Sequence, residues 1–195
     1  MTALVPASED EMVCAFLLAE LDSPLWRWFI HTLLRTDVGV VTHPSVDDPA
    51  QSLVRRLVLA AYRGYGIGTY LFAGFPADVM WWRTTTTAQE LGGFRYANCD
   101  PWASMAGSTR LVRDGAQRLD GGPSDRVAAV REVESGVLQE HAYPPLIAVG
   151  SNSDGDHVLV EGHTRATAYV RALAPSDEVE LIVGHSATMS AWRFW

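Results

Sequence analysis

The chain contains no lysine; its 15 basic residues are all arginines. That absence excludes several chemistries. A Walker-type phosphate loop closes on a lysine. A pyridoxal or other Schiff-base enzyme bonds its substrate through one. A kinase of the protein-kinase type places one on the nucleotide phosphates. Cysteine is scarce as well. Cys14 and Cys99 stand far apart and outside any Cys-x-x-Cys spacing, so neither a disulfide framework nor a zinc site is expected. Apolar runs such as "AFLLA" are too short to span a bilayer. No basic region followed by an apolar stretch opens the sequence, so the expected location is the cytoplasm, with no membrane partner.

What is present describes a folded chain. At 195 residues, 48% of them hydrophobic and 19% charged, it has enough apolar material for a full core. The formal net charge of -8 argues against nucleic acid as a partner, while leaving room for a local basic pocket.

Residues 1–91 read as a mainly helical region. "SEDEMVCAFLLAEL" opens with Ser8 and Glu11 in capping-box spacing. "DSPLWRWFIHTLL" offers Ser23 as a cap and Pro24 at the first helical position, with Leu25, Trp28, Phe29 and Leu33 recurring at helical spacing. In "DDPAQSLVRRLVLAAYRGYG", Asp47 or Asp48 caps a third helix, Pro49 starts it and Gly64 or Gly66 ends it. "TTTTAQEL" holds a second capping box, Thr87 to Glu90. The Gly-x-Gly-x-Gly run from Gly64 follows a helix rather than a strand, which rules out the dinucleotide-fold reading.

Residues 92–195 read as a small α/β module. "FRYAN" is strand-like, and "PWASMAGSTRLVRDGAQRL" puts Met105, Val112, Ala116 and Leu119 on one helical face. "LDGGPSD" breaks the chain, and "DRVAAVREVESGVL" makes another helix. "PPLIAVG" and "HVLV" form a hairpin around "SNSDGD", a helix follows from Thr164, and "EVELIVG" alternates as a strand.

The junction "EGHTR", Glu161 to Arg165, joins strand to helix. A helix start carries free N–H groups and about half a positive charge, so it attracts an anion. Gly162 permits close backbone approach. His163 and Arg165 add donors, and an arginine fork matches phosphate oxygens. The Thr164 hydroxyl either caps the helix or bonds an oxygen. Equally, these residues fit a capped helix with a Glu161–Arg165 ion pair.

The stretch "PPLIAVG…HVLVEGHTRATAYVRAL…VELIVG" resembles the core of the ParB/sulfiredoxin superfamily, and its turn is most similar to the Asp-Gly-His-Thr-Arg of the free serine kinases. The likeness covers roughly the last 70–100 residues and is best at the turn. It implies a ParB/sulfiredoxin-like module in which Gly162, His163, Thr164 and Arg165 hold the phosphates of ATP or ADP. Glu161 stands where the kinases have an aspartate, which implies a role in holding Mg²⁺ or orienting the attacking hydroxyl. Sulfinic-acid reduction would need a cysteine inside the turn, and position 163 is histidine. A second stretch, "DPWASMAGSTR", occupies the position from which the superfamily reaches into the pocket. There Asp100 is the acidic substitute for a catalytic glutamate, and Ser108, Thr109 and Arg110 are candidate phosphate contacts, with Ser104 beside them. Arg126 reads as a surface arginine, although it aligns loosely with basic residues that sulfiredoxins place on ATP.

The resemblance therefore implies a phosphotransferase using ATP or ADP with Mg²⁺ on a small hydroxyl-bearing metabolite such as free serine. Catalysis would fall to Glu161, Asp100 and His163. Two rivals stand beside it: a ParB-like nucleotide-binding regulatory or DNA-associated module, and a nucleotide hydrolase or nuclease. No helix-turn-helix pattern follows the module to support a DNA role.

Overall fold

A computed structural model describes every residue except Met1, Thr2, Asp22, Pro24 and Thr36. The first strand, β1 (Val5–Ala7), leads into helix α1 (Glu9–Leu21), where Ser8 and Glu11 close the expected capping box. Helix α2 (Arg27–Leu34) follows; Pro24, expected in its first turn, lies outside the described residues. The face expected to be apolar and inward is turned outward here. Leu25, Trp28, Phe29 and Leu33 are exposed, and Ile30 and Leu34 enter the core instead.

After a short α3 (Gly39–Thr42), α4 (Pro49–Arg63) begins and ends as its sequence requires. The Asp48 carboxylate accepts from the amides of Ala50 and Gln51, Pro49 opens the helix, and Gly64 closes it at φ 81°. A Cβ at Gly64 would lie 2.0 Å from the Thr69 carbonyl oxygen, so this turn admits only glycine.

The region up to residue 91 is helical in α1–α4 but also supplies two strands. "MWWRTTTT", absorbed above into a helical stretch, is β2 (Met80–Thr87), and the Thr87–Glu90 box caps only the four-residue α5 (Ala88–Leu91). Threonine is β-branched and pleats well, which explains why the run extends as a strand. Next come β3 (Arg95–Tyr96), α6 (Trp102–Ala106) and α7 (Val112–Arg118). The single helix expected over 101–119 is broken where Gly107 and Arg110 take positive φ, although Met105, Val112, Ala116 and Leu119 are all buried as their spacing requires. Helix α8 (Ser124–Leu138), the hairpin β4 (Leu146–Gly150) and β5 (His157–Glu161), helix α9 (His163–Ala172) and strand β6 (Glu178–His185) complete the order.

The fold is a mixed α/β architecture in which a largely helical stretch precedes a mixed sheet core. The six strands run β1-β2-β6-β4-β5-β3. β4 is antiparallel to β5 and parallel to β6, while β2 is antiparallel to β6 along its whole length. One sheet thus joins strands from both sides of residue 91. β4 and most of β5 are buried on both faces. One apolar cluster, around Phe16, Tyr62, Trp81 and Trp192, packs the helices onto one face of the sheet. A second, around Tyr96, Trp102, Val130 and Ala166, lies under α6–α9. Helix α9 belongs to the second layer, where Ala166 and Ala168 are buried. No helix among the described residues is long and apolar enough to cross a membrane.

Candidate functional site

β5 ends at Glu161 and α9 starts at His163, so the turn is a single residue, Gly162, at φ 93°. Gly162 rather than Thr164 is the N-cap, and no side chain caps the helix. A Cβ on Gly162 would come within 2.4 Å of Leu146 Cδ2. Only glycine lets the chain reverse this close to β4. The first intrahelical bond runs from the Ala166 amide to the Gly162 carbonyl at 2.8 Å. The amides of His163, Thr164 and Arg165 have no hydrogen-bond partner among the described residues, the electropositive condition of an open helix start. Thr164 is half-buried and its hydroxyl forms no hydrogen bond among them.

The four residues of the turn do different work. His163 lies nearly parallel to two aromatic rings, Tyr96 at 5.8 Å and Trp102 at 6.0 Å between centroids. Its Nε2 accepts from the Ala97 amide at 3.3 Å, which assigns the ring proton to Nδ1. The Tyr96 hydroxyl meets Thr167 Oγ1 at 2.6 Å, and that hydroxyl in turn reaches the His163 carbonyl at 2.7 Å, locking the first turn of α9 to β3. Burial, followed by the charges of Arg63, Arg126 and Arg165, holds the His163 imidazole down to about 3. It is therefore a neutral donor at neutral pH, and charge on a phosphate must be met by the arginines around it.

Arg165 does not project from the mouth. Its guanidinium folds back onto the Glu161 carboxylate and the Pro144 and Pro145 carbonyls, and both partners of the ion pair are largely buried. The Glu161–Arg165 pair anticipated as one of two readings is the arrangement observed. Glu161 is thus engaged by a cation, and no cluster of three or more His, Cys, Asp or Glu side chains suited to a metal occurs among the described residues.

The second stretch is mostly engaged in structure. Arg110 sits at φ 54° and donates to the main-chain oxygens of Tyr96, Phe194 and Trp195 at 3.1, 3.5 and 3.0 Å. Thr109 bonds Asp114 and the Leu111 amide, so it organises the start of α7. Ser108 is exposed. Asp100 is exposed and accepts from Ser104. Aromatic packing against Trp102 carries α6 to the mouth instead.

Arg126 is the residue whose surface reading the structure revises. In the first turn of α8, its guanidinium lies 6.0 Å from the Trp102 ring centroid, and its charge bears on His163. Its Nε is buried without a hydrogen-bond partner among the described residues, and the exposed Asp125 carboxylate stands 3.7 Å from that same atom. A buried donor left unpaired is unusual and calls for an acceptor. Two residues that local sequence could not place here, Glu20 and Arg63, come from the helical layer. Glu20 is close enough to Glu161 to feel its charge, and Arg63 close enough to His163.

Clefts of about 490 and 290 Å³ lie elsewhere, the larger beside Val5, Leu18 and Val46, the smaller beside Tyr143, Pro144 and Tyr169. Neither is lined by Gly162, His163 or Thr164. No protein-family model matches the chain, nor does any curated protein or any solved structure.

Proposed function

We propose that this chain is a nucleotide-dependent phosphotransferase. It holds the phosphates of ATP or ADP at the mouth of α9 and passes a phosphoryl group to a small hydroxyl-bearing metabolite such as free serine. The observation that carries the reading is the combination at that mouth: three helix amides unpartnered among the described residues, beside Arg126, whose buried Nε makes no hydrogen bond among them and has the exposed Asp125 carboxylate at 3.7 Å. The likeness of "EGHTR" to the free serine kinase turn of the ParB/sulfiredoxin superfamily supports it, as does the observed succession of helix, hairpin, turn and helix from α8 to α9.

Phosphoryl transfer asks little covalent chemistry of a protein; positioning and charge stabilisation do most of it. The amides of His163, Thr164 and Arg165 would hold phosphate oxygens along the helix axis. His163 would donate from Nδ1 as a neutral group, and Arg126 would supply positive charge. The bond from the terminal phosphorus to the nucleotide's bridging oxygen breaks, a bond to the acceptor oxygen forms, and the acceptor's proton goes to a carboxylate. Glu161, immediately before the turn, is the nearest in sequence, and Asp100 is the other candidate. Mg²⁺ belongs in this proposal to the nucleotide's own phosphates, its usual arrangement.

One observation favours a second reading, a nucleotide-binding regulatory module. Both carboxylates are occupied, Glu161 by Arg165 and Asp100 by Ser104, which suits a site that binds without turnover. Phosphorus NMR separates the two. The protein is incubated with Mg²⁺ and ATP, ADP or CTP, with and without serine. A phosphoserine resonance that grows only with serine present is the expected result. Binding without any new resonance establishes the regulatory reading, and inorganic phosphate without an acceptor a hydrolase.

A further inference from the structure

Strands β5, β4 and β6 lie side by side, and Gly150 of β4 pairs with His157 on one side and His185 on the other. Side chains alternate between the faces of a sheet. Leu159, Ala148 and Val183, paired with one another in the same way one step further in, belong to the second apolar cluster. His157, Gly150 and His185 therefore form one row on that face. The row lies at the opposite end of β5 from the turn at Gly162.

Because the middle place is a glycine, the flanking imidazoles meet across it. Their ring centres stand 5.7 Å apart and their Nε2 atoms 3.5 Å, so each ring points its Nε2 at the other. A Cβ at Gly150 would lie 3.1 Å from His157 Nε2 and intrude on this approach. Both histidines are buried, and Phe94 stacks on His157 with ring centres 5.1 Å apart. The His157 ring also donates to the main chain at Gly155. Since Nε2 faces His185, that donor is Nδ1, and Nε2 keeps its lone pair.

We propose that His157 and His185 form a two-coordinate site for a monovalent copper ion, tying β5 to β6 across β4. A direct hydrogen bond between the rings is weak at 3.5 Å, beyond the range of about 2.7–3.2 Å for good geometry. A metal bonds imidazole nitrogen at about 2 Å, so an ion in line with both rings needs them to part by about half an ångström. His157 follows the exposed residues 151–156, which can take up that movement. The ligand set selects the ion. Zn²⁺ takes a tetrahedron of four ligands and Mg²⁺ takes oxygen, and no three His, Cys, Asp or Glu side chains gather for a metal among the described residues. Two neutral nitrogens facing each other suit an ion of low coordination number. A single positive charge is also the least costly to bury between them. Copper accepts imidazole and meets both conditions as Cu(I). Burial holds both imidazoles below their ordinary value, so neither carries a proton that the ion must displace at neutral pH.

The test is an anaerobic titration of the full chain with Cu(I) against bicinchoninate. It uses a Cys14→Ala, Cys99→Ala background, so that neither thiol competes. One ion bound per chain is expected, with two nitrogen neighbours and no sulfur in its X-ray absorption spectrum. His157→Gln and His185→Gln should each weaken the affinity roughly a hundredfold or more, the upper end of what losing even a supporting group costs. Gly150→Ala keeps both ligands but narrows the space between them, and should weaken it about tenfold. The spectrum needs no change at the histidines, so it carries the test if those variants do not fold. Absence of Cu(I) binding, a four-coordinate ion, or full affinity in both histidine variants overturns the proposal. Tighter binding of Zn²⁺ than of Cu(I) also overturns it. The nucleotide reading of the α9 turn stands or falls separately.

Discussion

Lowering the pH tests the surroundings of His163 directly. Its imidazole is held from the ordinary 6.5 down to about 3, first by burial and then by three arginines. The folded state therefore favours the neutral ring, and the unfolded chain binds a proton first. The stability this confers is complete above 6.5 and is lost progressively as pH falls toward 3. With those two values, the loss between about pH 7.5 and about pH 5 comes to about 2 kcal/mol for this one ring. His157, held down to about 4 by burial and by His185, adds a loss of similar size. Glu20, whose carboxyl is pushed up by burial, works the other way, so wild type alone does not isolate the effect. The comparison that does is wild type against His163→Gln, whose amide oxygen can still accept from Ala97. Urea unfolding of both proteins at the two pH values should show the variant losing about 2 kcal/mol less than wild type. NMR titration of the ring gives the same answer by another route. A bound phosphate should reverse the trend, since one negative charge about 4 Å away is worth about 4 kcal/mol at an effective dielectric near 20, enough to lift the ring to roughly 6. Titration of His163 near 6.5 in the ligand-free protein refutes this account of its surroundings.

Two substitutions in the turn separate structure from chemistry. Glu161→Gln leaves the buried Arg165 without its counter-charge and should lower the unfolding free energy by about 3 kcal/mol in denaturant titration; a loss under about 1 kcal/mol would mean the pair is not closed in solution. Gly162→Ala places a methyl 2.4 Å from Leu146 Cδ2 on a residue at φ 93°, and thermal unfolding should report a loss of about 2–4 kcal/mol; a fully stable variant would contradict the geometry of the turn.

What the sequence revealed, and what it hid, follows the range of the interactions involved. The caps of α1, α4 and α5 were readable because Ser8–Glu11, Asp48–Pro49–Gly64 and Thr87–Glu90 act within one helical turn. The hairpin and the open start of α9 were readable for the same reason, although the cap is Gly162 rather than Thr164. β2 was hidden because tertiary pairing with β6 decides the state of "WWRTTTT", whereas its capping box draws attention to the four-residue helix behind it. The break between α6 and α7 depends on positive φ at Gly107 and Arg110, and apolar spacing carries across it unchanged. At the site, Glu161 and Arg165 lie one helical turn apart, and their pairing was among the sequence readings. Arg126 carries only a loose alignment in the sequence, and Arg63 and Glu20 carry no local signal, because the influence of the two arginines on His163 and of Glu161 on Glu20 is exerted across long stretches of chain. Arg110 reads in the sequence as a candidate phosphate contact, yet its guanidinium donates to main-chain oxygens of Phe194 and Trp195, which local sequence does not bring together.

The amides at the start of α9 provide the most direct test of the central claim. In a proton–nitrogen NMR titration with ATP, the resonances of His163, Thr164 and Arg165 should move together and saturate, with the Arg126 Nε signal following them. Saturating ATP that leaves these four signals in place would contradict the claim, whatever moves elsewhere in the protein.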